Sequence, residues 1–254
     1  MDRLAFNAAA AINEQRLARQ VLSHEMANIN TTGFKRSYEV SLKAYKADGD
    51  GFDSRHQPQA VNKDLIQLRP GPLMATGREL DILMNDSTVM GVNAPNGQLA
   101  FTRRGDLRVN ATGVLETGAG HVVRGEDGPV TVPPGFKVSI SDDGGVYAVD
   151  PAQPGVQQPV LVTRLLLRDA SQTPLSRRED GLFKVDGQPT GADFASGPLP
   201  TSVTTKALEG SNVNPMEAMV KLIEQSRSFE HQVRMVKESK SNDESGASML
   251  RLPS

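Results

Sequence analysis

The four histidines, His24, His56, His121 and His231, are the side chains of this sequence best suited to metal or proton chemistry, and they fall in four separate segments. None belongs to an H-E-x-x-H run or another paired-ligand spacing, so satisfied or solvated histidines are expected and no metal site is assigned. The acidic pairs Glu126 with Asp127 and Asp142 with Asp143 each stand directly before glycine, which is the composition of a hairpin turn. A carboxylate pair that hydrolyses glycosides needs a cleft walled by sugar-stacking aromatics. A chain with no Trp and three Tyr has little to build one from. The loop at Asp142 lacks the ligand spacing of an EF-hand. In "GAGHVVRG", residues 118–125, the third glycine comes too late for a phosphate cradle and no strand-to-helix context surrounds it; Walker, Rossmann and G-x-S-x-G patterns are absent. With no cysteine, thiol nucleophiles, structural disulfides and thiolate zinc sites are excluded together. These residues therefore assign no catalytic centre and no cofactor, and a non-enzyme is expected.

The elements that would have to position any site are read next. At 254 residues a sizeable core is affordable, yet aromatics are only 4 %, while Gly (23) and Pro (16) supply many reversals. A formal charge of -2 gives no field for nucleic acid, which is not an expected partner. No run of eighteen apolar residues occurs, so no direct membrane insertion is expected. The opening "MDRLAFNAAAAINEQRLARQ" has no apolar h-region or cleavage site, and any export is expected to proceed without a cleaved signal.

From about Leu65 to Thr205, runs such as "LAFTRRGDLRVN", "HVVRG", "FKVSISDDGGVYAVD" and "LVTRLLLRD" carry β-formers between Gly, Asp, Asn and Pro turns, at roughly ten residues per strand. This predicts a β-rich domain of hairpins over 66–205. Residues 37–65, polar and without either period, read as an extended connector.

The two ends are different. Stepping by four and three from Leu4 meets Ala8, Ala11, Gln15, Ala18, Leu22, Glu25 and Ile29, a helical period with a narrow, alanine-heavy seam. Asn30, Thr31, Thr32 and Gly33 then close the helix, Gly33 taking the left-handed conformation, so a β-branched residue there is expected to be harmful. At the other end, Asn214 is a candidate N-cap, Pro215 the first helical residue and Glu217 the partner of a capping-box-like arrangement. The stripe Met219, Leu222, Ser226, Phe229, Val233 and Val236 follows in alternating steps of three and four, the period of a coiled-coil seam. After Lys240 the run "SNDESGAS" weakens the helix. Helices this lean are marginal alone, and order is expected to come with assembly.

Several of these stretches carry a resemblance. "NINTTGFKR", with Asn28, Asn30, Thr31, Gly33 and Phe34, resembles the Asn/Thr-rich signature of bacterial flagellar basal-body rod and hook proteins. "RELDILMNDSTVMGV", "AFTRRGDLRVNATGVLETGAGHVV" and "GPVTVP" are similar to the family's shared β-domain, and "LEGSNVNPMEAMVKLIEQSRSFE" resembles the start of its C-terminal helix. With "RREDGLFKV", the likeness is greatest to the proximal-rod members. One departure is that Ser87, Thr88 and Val89 stand where the family usually places an aromatic pair.

The resemblance implies a structural subunit of the proximal rod, mainly β with α-helical termini, whose terminal helices form a discontinuous coiled-coil layer inside a β-rich outer domain. The segments are then 1–36 and 206–254 for the inner helices, 37–65 for the connector and 66–205 for the outer domain. The implied partners are copies of itself, other flagellar rod subunits and the flagellar export apparatus; the implied location is the periplasmic rod of the basal body. The residues expected at assembly interfaces are Leu4, Ala8, Ala11, Ala18, Leu22, Asn28, Ile29, Asn30, Gly33, Phe34, Met219, Leu222, Phe229, Val233 and Val236. A distal rod or hook-like subunit is the alternative within the family. From the residues alone, the reading stops at a self-assembling β-protein with coiled-coil ends, against a secreted β-domain that binds a ligand.

Overall fold

The computed structural model describes residues 2–37, 41–46, 56–61, 64–151 and 158–249, and within them all side chains except those of 2–10, 14, 41–46, 56–61, 243 and 247. Helix α1 (Asp2–Ala27) leads into β1 (Ser41–Lys46) and β2 (His56–Val61). Then come β3 (Leu73–Ala75), β4 (Ile82–Met84), β5 (Thr88–Asn93), β6 (Leu99–Thr102), β7 (Leu107–Val109), β8 (Leu115–Thr117), β9 (Val122–Gly125) and β10 (Gly128–Pro129). They are followed by β11 (Lys137–Ile140), β12 (Gly145–Val149), β13 (Val160–Arg164), β14 (Leu167–Asp169), β15 (Leu175–Arg177), β16 (Phe183–Val185), β17 (Val203–Thr205) and β18 (Ala207–Glu209), and by the closing helix α2 (Pro215–Met249). The protein is thus mainly β with helical termini.

The chain divides into two compact units. One gathers Met1–Ala27, Glu39–Lys63 and Asn214–Ser254; in it α1 packs on α2 and also meets β2. Within the stretch read as an extended connector, β1 and β2 pair as an antiparallel hairpin, with Ser41 opposite Val61 and Lys46 opposite His56. Its signal is weak in sequence because Lys, Gln and His separate the few apolar residues. Pro58, which has no N–H to donate, is tolerated because a two-stranded ribbon leaves each strand an open edge. Helix α2 also runs through "SNDESGAS" to Met249, past the weakening expected after Lys240. A Lys240 to Glu244 pair at 3.6 Å and a Ser248 hydroxyl donating to the Ser245 carbonyl at 2.8 Å accompany that last stretch.

The other unit, Asn28–Tyr38 with Asp64–Val213, holds a nine-stranded sheet with the path β15-β16-β6-β5-β9-β8-β7, to which β10 and β14 attach. Beside it are the meander β11-β12-β13 and the pairs β17-β4 and β18-β3. Period-two alternation distributes β5 and β6 between two cores. Met90, Val92 and Ala100 join Ile82, Leu107, Leu115 and Val123 in one, while Val89, Leu99 and Phe101 join Leu166, Leu175, Phe183 and Val185 in the other. Val89 is fully buried there, and the Phe101 ring meets Phe194 edge-on at 4.9 Å.

Candidate assembly surface

The described side chains of α1 sort as a step of four and three requires. Ala11, Gln15 and Ala18 are half-buried and Leu22 and Glu25 buried, whereas Asn13, Arg16, Gln20 and Ser23 are exposed. The side chains of Leu4 and Ala8 lie outside the described residues. On α2, Ala218 is the one buried residue among the described side chains, and Leu222, Gln225, Gln232, Val233 and Val236 are half-buried. Between the helices the Gln15 amide donates to the Ser228 hydroxyl, and the Arg19 guanidinium stands over the Phe229 ring at 5.4 Å. Among the described residues the side-chain oxygens of Gln15, Gln225 and Gln232 are buried with no hydrogen-bond partner, so this seam is polar as well as lean.

Met219 does not share that inner track. It is 52 % exposed and lies with Met216, Val220 and Ile223 on an outer stripe at i, i+3, i+4 and i+7. In the reading by alternating steps Met219 is the first seam residue, whereas its neighbour Ala218 is the one that is buried. The helix opens as expected: Asn214 Oδ1 accepts from the amides of Met216 at 3.0 Å and Glu217 at 3.3 Å, and Glu217 pairs with Lys221 at 3.1 Å.

The segments that follow α1 and precede α2 are held together by a charged clasp within the β-rich unit. Asn28 to Thr32 form a turn, with the Thr31 amide donating to the Asn28 carbonyl at 3.1 Å and the Phe34 amide to the Thr31 carbonyl at 3.2 Å. Asn28 and Ile29 are half-buried and Asn30 is exposed. Gly33, buried at φ +68°, donates its amide to the Glu209 carbonyl at 2.7 Å. A Cβ there would lie 2.3 Å from the Arg103 carbonyl oxygen. Gly33 therefore serves a close contact within the subunit. Phe34 is half-buried, with the Arg177 guanidinium 4.5 Å from its ring centroid, and Arg177 also donates to the Lys35 carbonyl. Asn212 Oδ1 accepts from the Arg36 amide at 2.7 Å, and its Nδ2 donates to the Gln67 carbonyl at 3.0 Å.

At the centre are three buried charges. Glu209 Oε1 accepts from Lys35 Nζ at 2.6 Å and from the Gly71 amide at 3.0 Å, while Oε2 accepts from Arg103 Nε at 2.7 Å. The remaining donors of Arg103 go to the carbonyls of Met84, Asp86 and Thr88, and Lys35 also reaches the Arg69 carbonyl. None of the three side chains is more than 1 % exposed. Burial, then the Arg103 charge, lowers the Lys35 ammonium from 10.5 to about 8, against the opposing pull of Glu209. Between those values the unfolded chain holds a proton that the folded chain lacks, so stability rises with pH from about 8 toward 10. The expected result is a gain of at most about 3 kcal/mol in unfolding free energy across that window. Lys35→Met should flatten the rise, as read by urea unfolding at a series of pH values.

The sequence reading missed Lys35, Arg103 and Glu209. One signal was available: β18 alternates Ala207, Leu208, Glu209, which puts the carboxylate on the same inward face as the alanine. A carboxylate on an inner face needs a buried cation, but sequence does not say which.

The residues weighed for catalysis do not converge. Among the described residues no three metal-ligating side chains gather. Asp143 closes the β11–β12 turn, accepting from the Ser141 hydroxyl and pairing with Arg164 at 3.0 Å; the Ser141 bond leads the causes that lower its pKa. His121 is half-buried, and burial lowers its pKa.

Comparison with known families matches residues 204–249 to the C-terminal model of the flagellar basal body rod FlgEFG proteins and residues 89–148 to the D1 domain of the flagellar hook proteins FlgE/F/G. Over 239 residues the chain is 34 % identical to the flagellar basal-body rod protein FlgF of Salmonella typhimurium, with 93 % of each chain covered. It is 31 % identical over 241 residues to the FlgF of Escherichia coli, again with 93 % of each covered. Against a flagellar basal-body rod protein FlgG of Buchnera aphidicola it is 27 % identical over 242 residues, covering 88 % of this chain and 90 % of that one.

Proposed function

The chain belongs to the flagellar basal-body rod proteins as a FlgF-like member, a structural subunit of the rod, and we propose that it polymerises through its terminal helices into the proximal part of that shaft. The observation that carries the proposal is the exposure of α2. A helix of 35 residues with Ala218 as its one buried described side chain, and with Met216, Met219, Val220 and Ile223 outward, is short of apolar burial by itself. Neighbouring subunits supply it. The inner track of Ala11, Ala18, Leu22, Leu222, Val233 and Val236 pairs α1 with α2, and the outer stripe meets other copies and other rod subunits. Such contacts are heterologous and non-closing, which gives a tube around an export channel. In this reading the chain has no enzymatic activity, leaves the cytoplasm through the flagellar export apparatus without a cleaved signal, and resides in the periplasmic rod.

Purified hook–basal bodies from the source organism test this by quantitative mass spectrometry. The chain should be present at a fixed number of copies per hook; its absence would discard the rod assignment. Met219→Glu tests the outer stripe. Because the side chain is 52 % exposed, the isolated subunit should change by no more than about 0.5 kcal/mol, whereas recovery in basal bodies should fall at least about tenfold, since a carboxylate would be buried in the joint. Full recovery of a stable variant sinks the stripe as a contact. Phe229→Glu is less decisive, because Arg19 already stands over that position and would pair with the new carboxylate.

A further inference from the structure

The β-rich unit contains a cleft of about 580 Å³ walled mostly by polar and charged residues. It lies between the turn joining β5 to β6 and the turn joining β15 to β16, and is lined by Asn96, Gln98, Arg178, Glu179, Lys184 and Thr190 among others. Two cations stand at its wall, one partly paired and one without an acceptor among the described residues. Arg178, with its side chain 90 % buried, binds Asp180 through Nε and Nη2, but its Nη1 is buried with no hydrogen-bond partner. Lys184 is half-buried, and among the described residues nothing hydrogen-bonds or ion-pairs with it. Gln98 accepts from Asn96 at 2.8 Å through its oxygen, leaving its amide hydrogens for a ligand. The Lys184 ammonium and the Gln98 amide are thus donors that a carboxylate can meet there.

The same unit presents the complementary group. Glu126 and Asp127, at the turn between β9 and β10, are exposed, and among the described residues their carboxylates have no partner. The strand register sets how far apart the two features are. The β5–β6 turn extends beyond Asn93, whereas β9 pairs Val122 with Asn93 and Val123 with Val92 and so runs the opposite way. Glu126 comes four residues after Val122, roughly 13 Å farther along. The acidic turn and the cleft thus point away from each other along one sheet, and the turn of one chain is placed to enter the cleft of another rather than its own.

We propose that the cleft receives the Glu126–Asp127 turn of a neighbouring copy of this chain, with Lys184 and Arg178 as the carboxylate-binding residues. Because turn and cleft are different surfaces, the contact is head-to-tail and open-ended. It rests on the rod assignment only in that copies must meet. The acidic pair, which reads in sequence as turn chemistry alone, gains a binding role, and a contact outside the helices adds to those made by the outer stripe of α2.

The chain has no cysteine, so paired cysteines report cleanly. Glu126→Cys combined with Thr190→Cys, which keeps Asp127, Lys184 and Arg178, should give a disulfide-linked dimer or ladder in oxidised hook–basal bodies, with no such product from either single variant. In that background Lys184→Glu should lower the yield at least about fivefold, and adding Asp127→Lys should restore most of it. Absence of the product from basal bodies that contain the chain overturns the proposal and leaves the rod assignment standing, as does a yield indifferent to Lys184→Glu. A product of a different mass overturns the second-copy occupant. Absence of the unaltered chain from basal bodies overturns the rod assignment, and the crosslink is then read on the concentrated purified chain, where its absence overturns the proposal too.

Discussion

Glu209→Gln is expected to cost the β-rich unit about 3 to 5 kcal/mol, the range for removing one partner of a buried ion pair. The carboxylate faces two cations, Lys35 at 2.6 Å and Arg103 at 2.7 Å, and all three side chains are no more than 1 % exposed. An amide of the same shape still accepts one bond through its oxygen, but it offers N–H to a second donor and leaves both cations without a counter-charge. The carbonyls of Met84, Asp86, Thr88 and Arg69 that already accept from Arg103 and Lys35 keep the donors hydrogen-bonded without neutralising them. Lys35→Met is the informative contrast. It leaves Glu209 paired with Arg103 and removes the cation whose pKa burial lowers, so its cost should be the smaller of the two. Equilibrium urea unfolding, followed by amide protection in β5 and β6, separates these outcomes from fraying of the helices. A Glu209→Gln chain as stable as the unaltered one would mean that the clasp is not closed in solution.

The legible parts of this protein are those where one residue type at one spacing has one physical meaning. Asn214, Pro215 and Glu217 mark the start of α2 because an N-cap, a residue without N–H and an acidic first turn each suit orphan amides. The short strands from β3 to β18 are legible because Gly, Asp, Asn and Pro separate runs of β-formers. The hairpin β1-β2 was not, since its alternation is carried by Lys and Gln as much as by Leu, Ala and Val. At the candidate surface the period of α2 was legible, and Leu222, Val233 and Val236 of its stripe are half-buried while Met219 is exposed. Met219 has the larger apolar side chain and so draws the eye in sequence, although Ala218 is the residue that is buried. The clasp was out of reach for a different reason. Lys35, Arg103 and Glu209 are separated by 68 and 106 positions, and each by itself is an ordinary charged residue whose burial depends on the other two.

Gly33→Ala and Gly33→Val test the tightest contact in the clasp. Gly33 sits at φ +68°, and an added Cβ would lie 2.3 Å from the Arg103 carbonyl oxygen, 2.5 Å from its carbon and 2.7 Å from the Arg104 Cα. All three are backbone atoms, so no side chain can swing aside. The left-handed conformation alone costs an L-residue about 1 to 2 kcal/mol. Relieving the overlap means moving the segment off Arg103, which breaks the 2.7 Å bond from the Gly33 amide to the Glu209 carbonyl, worth about 1 kcal/mol, and draws Lys35 away from its carboxylate two residues on. A loss of at least about 2 kcal/mol is therefore expected for Gly33→Ala from these contributions together, and more for Gly33→Val, whose branched Cβ is least suited to positive φ. Gly77 provides the control, because it lies at φ +75° with nothing within 4 Å of the position its Cβ would take. Gly77→Ala carries the conformational cost without the overlap, so the difference between the two alanine variants isolates the contact with Arg103. Equal losses at Gly33 and Gly77 would show that the Asn/Thr/Gly turn does not close on Arg103, and that the segments bordering α1 and α2 are not held to each other as described.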